Sequence, residues 1–226
     1  MALTPTEAFG AMAKDYDSIA RRGMPVYDEM LDAVMGCLVD GAADVLELGC
    51  GTGVLTLRLA QRYPGAAITA VDAAPEMLEI ARGRLDAEGA GGRATLRTGL
   101  FEEMELGSES YDLIASNMSL HHIEDKQPFY TKLRAALRPG GLLVLGDELK
   151  AALPHIEEQF WNGWLNFARR PGGLTEEEIA EIVRHVEVLD HYETLPRQIE
   201  LLWTAGFETV DCVWRKLNYA VFVAQA

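Results

Sequence analysis

The chain has 226 residues, of which 49% are hydrophobic and 24% charged, and its formal net charge at pH 7 is −15. This length fits one α/β domain with a small appended cap, and no apolar run approaches the roughly 20 residues that span a bilayer. The lack of such a run leads us to expect no membrane partner. The acidic balance disfavours a phosphate backbone, which binds through lysine and arginine, so we also expect no nucleic-acid partner.

The hydrophobic pattern predicts strands and helices in alternation along most of the chain. Helical spacing in the N-terminal segment, residues 1–40, leads into the first short apolar strand. Pro75 suits the first position of a helix. Helices are expected at 24–39, 54–63, 75–87 and 126–137, strands at 44–48, 67–71, 94–97, 111–116 and 142–146, and turns at 49–53 and 138–141.

The alternation of strands and helices breaks after residue 150. Residues 150–196 are predicted to form a helical cap insertion, with two helical segments joined at 170–173. A helix near 198–205 and β-rich runs at 208–214 and 219–224 then predict an antiparallel hairpin at the sheet edge. We therefore expect a single domain, 1–226, of the α/β class: a doubly wound, mostly parallel sheet with a C-terminal antiparallel hairpin and a helical cap.

The first strand runs directly into three alternating glycines, in Glu47-Leu48-Gly49-Cys50-Gly51-Thr52-Gly53. Glycine permits positive φ and lets the backbone approach a ligand closely. A dinucleotide remains open as the ligand, but its fingerprint needs a third glycine at the position of Val54. The spacing thus favours a cofactor without pyrophosphate and ranks a nicotinamide oxidoreductase lower.

Asp72 ends the second strand, about 20 residues after the glycine turn, where an acidic side chain can accept both hydroxyl hydrogens of a ribose. The alternative role for Asp72 is to cap the helix that follows.

Taken in order, these motifs resemble those of class I S-adenosylmethionine-dependent methyltransferases. Residues 47–53 resemble the first motif, 111–122 the fourth-strand motif, 137–141 the turn before the fifth strand and 205–207 a late turn, while Asp72 matches the acidic ribose ligand. The resemblance implies a Rossmann-like fold, S-adenosyl-L-methionine as cofactor and a small-molecule methyl acceptor.

The same resemblance implies a set of cofactor contacts. They are Tyr27, Glu47, Gly49, Cys50, Gly51, Asp72, Ala73, Met77, Leu100, Phe101 and Asn117. Leu100 stands where many members have an aspartate near the adenine, so adenine recognition would rest on backbone groups and the Phe101 ring.

Residues 23–27 and the cap are similar to the subgroup that contains carboxy-S-adenosylmethionine synthase. That subgroup grips the extra carboxylate of its cofactor with an arginine, and this position aligns with Leu201. Plain S-adenosylmethionine is therefore expected. A cofactor-modifying synthase and a noncatalytic S-adenosylmethionine-binding protein remain as alternatives.

His121 and His122 follow the fourth strand and are the candidate catalytic residues, since a group of near-neutral pKa can remove a proton from the acceptor. The alternative is that one packs against the cofactor and the other starts a helix. Glu148 and His155 are weaker acid–base candidates. Because the two histidines are adjacent and no cysteine pair has ligand spacing, no metal is expected.

Aromatic residues recur at helical spacing in the cap, as Phe160, Trp161, Trp164 and Phe167. Such a stripe is either core or the wall of an apolar acceptor pocket. We hypothesise that the acceptor is enclosed between the helix of Tyr27 and the helix of the two tryptophans.

Three cysteines cannot all pair, and residues 1–10 lack the basic region and apolar stretch of a secretory signal. Both observations predict a reducing, cytoplasmic location, and a homodimer is left open. The basic pairs Arg21-Arg22 and Arg169-Arg170 are expected to be solvated surface, with a role toward a small acidic substrate as the alternative.

Overall fold

Seven strands form one sheet in the computed structural model, which describes residues 4–226. The sheet order is β3-β2-β1-β4-β5-β7-β6; the first five strands pair in parallel, and β7 runs antiparallel to both neighbours. The strands are β1 Asp44–Leu48, β2 Ala67–Asp72, β3 Ala94–Thr98, β4 Tyr111–Asn117, β5 Leu137–Glu148, β6 Thr209–Lys216 and β7 Tyr219–Gln225. The predicted mostly parallel sheet with a C-terminal antiparallel hairpin is confirmed.

Helices cover both faces of this sheet. They are α1 Pro5–Met12, α2 Tyr16–Gly23, α3 Tyr27–Gly36, α4 Val54–Arg62, α5 Pro75–Ala87, α6 Lys126–Ala136, α7 Pro154–Ala168, α8 Glu176–Leu189 and α9 Leu195–Thr204. Within residues 4–226, no helix has both the length and the apolar character needed to cross a membrane.

Successive side chains of each strand point to opposite faces, so two hydrophobic cores form. On β1, Leu46 packs with buried residues of α6 and α9, whereas its neighbour Val45 packs with those of α3, α4 and α5. The strands β1 and β4 are adjacent, and the chain leaves them in opposite directions across the sheet. Such a switch point opens a crevice at the carboxyl ends of the strands, where α/β folds bind ligands.

The fifth strand begins earlier than the sequence predicts. Residues 138–141 were expected to form a turn, but they belong to β5, because Leu137 pairs with Tyr111 before a register shift. Gly140, at a φ of 78°, donates its N–H to the carbonyl of Ala226. The glycine allows the strand to bend without losing its pairing.

The two cap helices, α7 and α8, are fastened to α2. Trp164 Nε1 donates to the Gly23 carbonyl at 3.0 Å, and Arg22 donates to the Glu178 carboxylate. Arg170 donates to the carbonyl of Arg22 at 2.8 Å. Arg22 and Arg170 are therefore part-buried structural ties, whereas their neighbours Arg21 and Arg169 are about half exposed, as expected.

Candidate functional site

A cavity of about 390 Å³ opens at the carboxyl ends of β1 and β4 and extends beneath the cap helices. Tyr27 at the start of α3 and the two cap tryptophans, Trp161 and Trp164, all line it. The indole rings of the tryptophans lie 5.2 Å apart between centroids. The aromatic stripe thus faces the cavity, although Phe167 instead stacks on the guanidinium of Arg170, 3.5 Å from its ring centroid.

The glycine turn forms the floor of the cavity. Gly49 has a φ of 67°, and a Cβ there would lie 1.8 Å from the Ser119 hydroxyl oxygen, so no larger residue fits. Gly51 has a φ of 51°, and a Cβ there would meet no heavy atom within 4 Å. Its backbone therefore borders open space through which a ligand can approach.

Asp72 joins the glycine turn to the end of β2. Its carboxylate accepts hydrogen bonds from the N–H of Gly51 at 2.8 Å and of Ala74 at 2.9 Å. Burial raises the pKa of Asp72, and the backbone donors oppose that rise. The N-cap of α5 is Ala74, so the capping role considered for Asp72 is wrong.

Glu47 is buried beside the turn, with 1% of its surface exposed. Burial raises the pKa of Glu47 to about 8, with Thr56 opposing the rise. Among residues 4–226, its Oε2 atom has no hydrogen-bond partner. A buried carboxyl oxygen without a partner is unfavourable, and a cationic ligand in the cavity would relieve the cost.

All the residues implied as cofactor contacts line this one cavity. They are Tyr27, Glu47, Gly49, Cys50, Gly51, Asp72, Ala73, Met77, Leu100, Phe101 and Asn117. Leu100 is 39% exposed, whereas the Phe101 ring is buried and packs 5.5 Å from that of Phe129.

His121 and His122 lie in a single 3-10 turn after β4 and also line the cavity. His121 Nδ1 is 2.5 Å from a carboxylate oxygen of Asp147, and His122 Nδ1 is 2.9 Å from Asp190 Oδ1. Burial opposes the charged form of His121, but Asp147 and the other nearby acids outweigh it and raise the pKa of His121 to about 9. Burial and the charge of His121 lower the pKa of His122 to about 4.

A segment distant in sequence brings Asp190 to the histidines. The N–H of His191 donates to the carbonyl of His121 at 2.8 Å, and buried Lys126 donates to the carbonyls of Ile123 and His191. Sequence reasoning missed Asp147, Asp190, His185 and Tyr192, because each approaches the histidines only through the fold. The run Asp190-His191-Tyr192 was the one local signal, since it places polar and aromatic residues just after the cap.

The two weaker acid–base candidates differ in position. Glu148 lines the cavity and accepts a hydrogen bond from Asn218, and burial raises the pKa of Glu148 to about 8. His155 is exposed at the start of α7, away from the cavity lining.

The lining of the cavity is acidic. Among residues 4–226, no lysine or arginine lines it. Leu201, the position aligned with the synthase arginine, is 3% exposed and packs in the core on α9, away from the cavity. The carboxyl side chains in the lining are Glu47, Asp72, Glu102, Glu148, Glu157 and Asp190. A cationic ligand would favour the charged form of the buried Glu47 and Glu148 carboxyls, whose pKa values burial raises, so this surface suits a cation better than an anion.

Comparison with known proteins agrees with this geometry. Residues 45–141 match the model of the methyltransferase domain. The chain is 32% identical to carboxy-S-adenosyl-L-methionine synthase of Chromohalobacter salexigens over 92% of this chain and 79% of that protein. It is 31% identical to malonyl-[acyl-carrier protein] O-methyltransferase of Hahella chejuensis over 77% of this chain and 60% of the relative.

A similar fold occurs in phosphoethanolamine N-methyltransferase 2 of Haemonchus contortus, solved in complex with S-adenosyl-L-methionine. Its TM-score is 0.62 at 19% identity, over 92% of this chain and 43% of the other.

Proposed function

Because the chain belongs to the class I S-adenosylmethionine-dependent methyltransferases, we propose that it methylates a neutral or cationic small molecule held beneath the cap helices. The observation that carries the proposal is the acidic cavity, which runs from the glycine turn to the histidine pair with no lysine or arginine in the described lining. S-adenosylmethionine carries a sulfonium and an ammonium group against one carboxylate, so its net positive charge complements this surface.

The cofactor would lie over the glycine turn. The Asp72 carboxylate would accept hydrogen bonds from the ribose hydroxyls, and Glu47 would pair with the ammonium group of the methionine moiety. The unpartnered Oε2 of Glu47 supports the second contact, because a charged donor would satisfy it. Adenine would then lie near Leu100 and Phe101, which line the same cavity.

The acceptor would lie between Tyr27 and the cap tryptophans, with its reacting atom beside His121 and His122. Methyl transfer is an in-line displacement, so the enzyme chiefly aligns the acceptor with the methyl carbon, and such orientation can contribute roughly 7–11 kcal/mol. The aromatic wall supports an acceptor that is partly apolar and would exclude water during transfer.

The acidic lining also favours methyl transfer over the activity for which the synthase relative is named. A carboxylated cofactor carries an additional anionic group, and among residues 4–226 no lysine or arginine lines the cavity to pair with it. The plain cofactor is therefore the better match.

Competition titration tests this preference. Purified protein should bind S-adenosylmethionine and S-adenosylhomocysteine in preference to NAD, and should not favour the carboxylated cofactor. A tenfold preference for the carboxylated form, or tighter binding of NAD, would overturn the proposal. Incubation with methyl-labelled cofactor and panels of small amines, alcohols and thiols then identifies the acceptor by mass.

A further inference from the structure

Four ionisable side chains meet at the end of the cavity beneath α8. The shared point is Asp190 Oδ1, which lies 2.9 Å from His122 Nδ1, 3.5 Å from His185 Nε2 and 3.9 Å from His121 Nε2. One ligand atom from each of His121, His122 and Asp190 lies within 4.8 Å of the other two. We propose that these three residues bind a divalent first-row transition metal ion, with His185 beside the site.

The first support is that two atoms of the cluster are buried without a partner. Asp190 has 3% of its side chain exposed, and neither its Oδ1 nor His122 Nδ1 makes a hydrogen bond to any group in residues 4–226. The two atoms lie 2.9 Å apart. A cation placed between a carboxylate oxygen and an imidazole nitrogen would satisfy both.

The second support is the set of outer contacts that orient each ligand. His121 directs Nδ1 to Asp147, which leaves Nε2 facing Asp190. Tyr192 donates its hydroxyl hydrogen to Asp190 Oδ2 at 2.6 Å, which leaves Oδ1 facing the histidines. Metal-binding histidines and carboxylates characteristically have such outer hydrogen bonds.

The donor set indicates the class of ion. Two imidazoles and one carboxylate suit borderline ions such as Zn²⁺ or Fe²⁺ better than Mg²⁺ or Ca²⁺, which take oxygen ligands. Three protein ligands also leave coordination positions open toward the cavity. This inference goes against the expectation from sequence spacing, since Asp190 joins the adjacent histidines only through the fold.

An ion at this point would contact the acceptor if the proposed function is correct. It would hold the hydroxyl, thiol or amine of the acceptor beside the methyl group. Metal binding does not itself depend on that function, so the two ideas can fail separately.

Equilibrium dialysis against Co²⁺ tests the site, with the visible absorption of bound Co²⁺ as a second readout. The wild-type chain should bind one ion, and His122→Ala and Asp190→Ala should each weaken binding at least 100-fold. His155→Ala removes an exposed histidine outside the cavity and should bind as the wild type does.

Tyr192→Phe gives a milder test if an alanine variant fails to fold. It removes the outer hydrogen bond to Asp190 and should weaken Co²⁺ binding by about 10–100-fold while cofactor binding is unchanged. Absence of stoichiometric binding to the wild type would overturn the metal site, as would equal binding by all variants. If the wild-type chain binds Co²⁺ but transfers no methyl group to any acceptor, the metal site would stand and only the proposed function would be overturned.

Discussion

The two ends of the cavity are built in different ways. At the proposed cofactor end, the glycine turn follows β1 and Asp72 ends the adjacent parallel strand β2, so short contiguous motifs place the proposed contacts. At the acceptor end, groups from α1 to α3, the turn after β4, the cap helices and residues 190–192 converge only in the folded chain. The difference teaches that local sequence can specify a cofactor site, whereas the proposed acceptor site depends on long-range packing.

The largest effect is expected from Gly49→Ala at the cofactor end. The new Cβ would lie 1.8 Å from the Ser119 hydroxyl oxygen at a φ of 67°. Left-handed strain and overpacking together should cost about 2–5 kcal/mol and abolish cofactor binding. Denaturant unfolding and calorimetry measure the two effects.

Gly83→Ala is the matched control for that substitution. Its Cβ would meet nothing within 4 Å in the interior of α5, so stability should rise by up to about 1 kcal/mol. If Gly49→Ala matched Gly83→Ala in stability and cofactor binding, the glycine turn would tolerate a Cβ that its packing indicates it cannot hold.

Asp72→Ala should weaken S-adenosylmethionine binding by about 1.5–3 kcal/mol, the range for hydrogen bonds to a charged group. Calorimetric titration of the folded variant measures the loss. An unchanged dissociation constant would remove Asp72 from the cofactor site. The carboxylate would then serve only to hold Gly51 and Ala74 in place.

At the acceptor end, Trp164→Phe should lower the free energy of unfolding by about 1 kcal/mol, because it removes the hydrogen bond to the Gly23 carbonyl. Trp161 is 38% exposed, so Trp161→Phe should leave stability nearly unchanged. Trp161→Ala should raise the KM for the acceptor. Equal destabilisation by the two phenylalanine variants would mean that the stripe is ordinary core.

The smallest effect concerns the ion pair between α2 and α8. Hydrogen bonds from Arg22 lower the pKa of Glu178 to about 2, so this carboxylate stabilises the fold above its unfolded pKa of about 4.5. The contribution is lost as the pH falls from about 4.5 through 2, and such part-exposed pairs contribute at most about 1 kcal/mol. Unfolding measured across this range should show the loss, and Glu178→Gln should flatten it. An identical acid dependence in that variant would exclude the pair as its cause.

Most of the sheet could be predicted from the sequence, because buried parallel strands are continuous apolar runs that end at turn residues. It failed at β5, where pairing of Leu137 with Tyr111 and a register shift carry the strand through residues expected to turn. Local composition does not encode such an irregularity, since it depends on a partner strand.

The residues of the candidate site also fall into two groups, those that could be predicted from the sequence and those that could not. Gly49, Gly51 and Asp72 could be identified because their spacing reflects one strand–turn–helix unit and the neighbouring strand. Asp190 could not, because a backbone hydrogen bond from His191 to His121 and the buried amine of Lys126 bring it into place. No periodicity in either segment signals that contact.

The acidic lining has a consequence for turnover. Methyl transfer converts the sulfonium of the cofactor into a neutral thioether, so the spent cofactor loses one positive charge while the surrounding carboxylates remain. The cavity therefore attracts the spent molecule less than the fresh one, and this electrostatic asymmetry limits product inhibition. Added salt should narrow the affinity ratio between the two, because it screens the charge that distinguishes them.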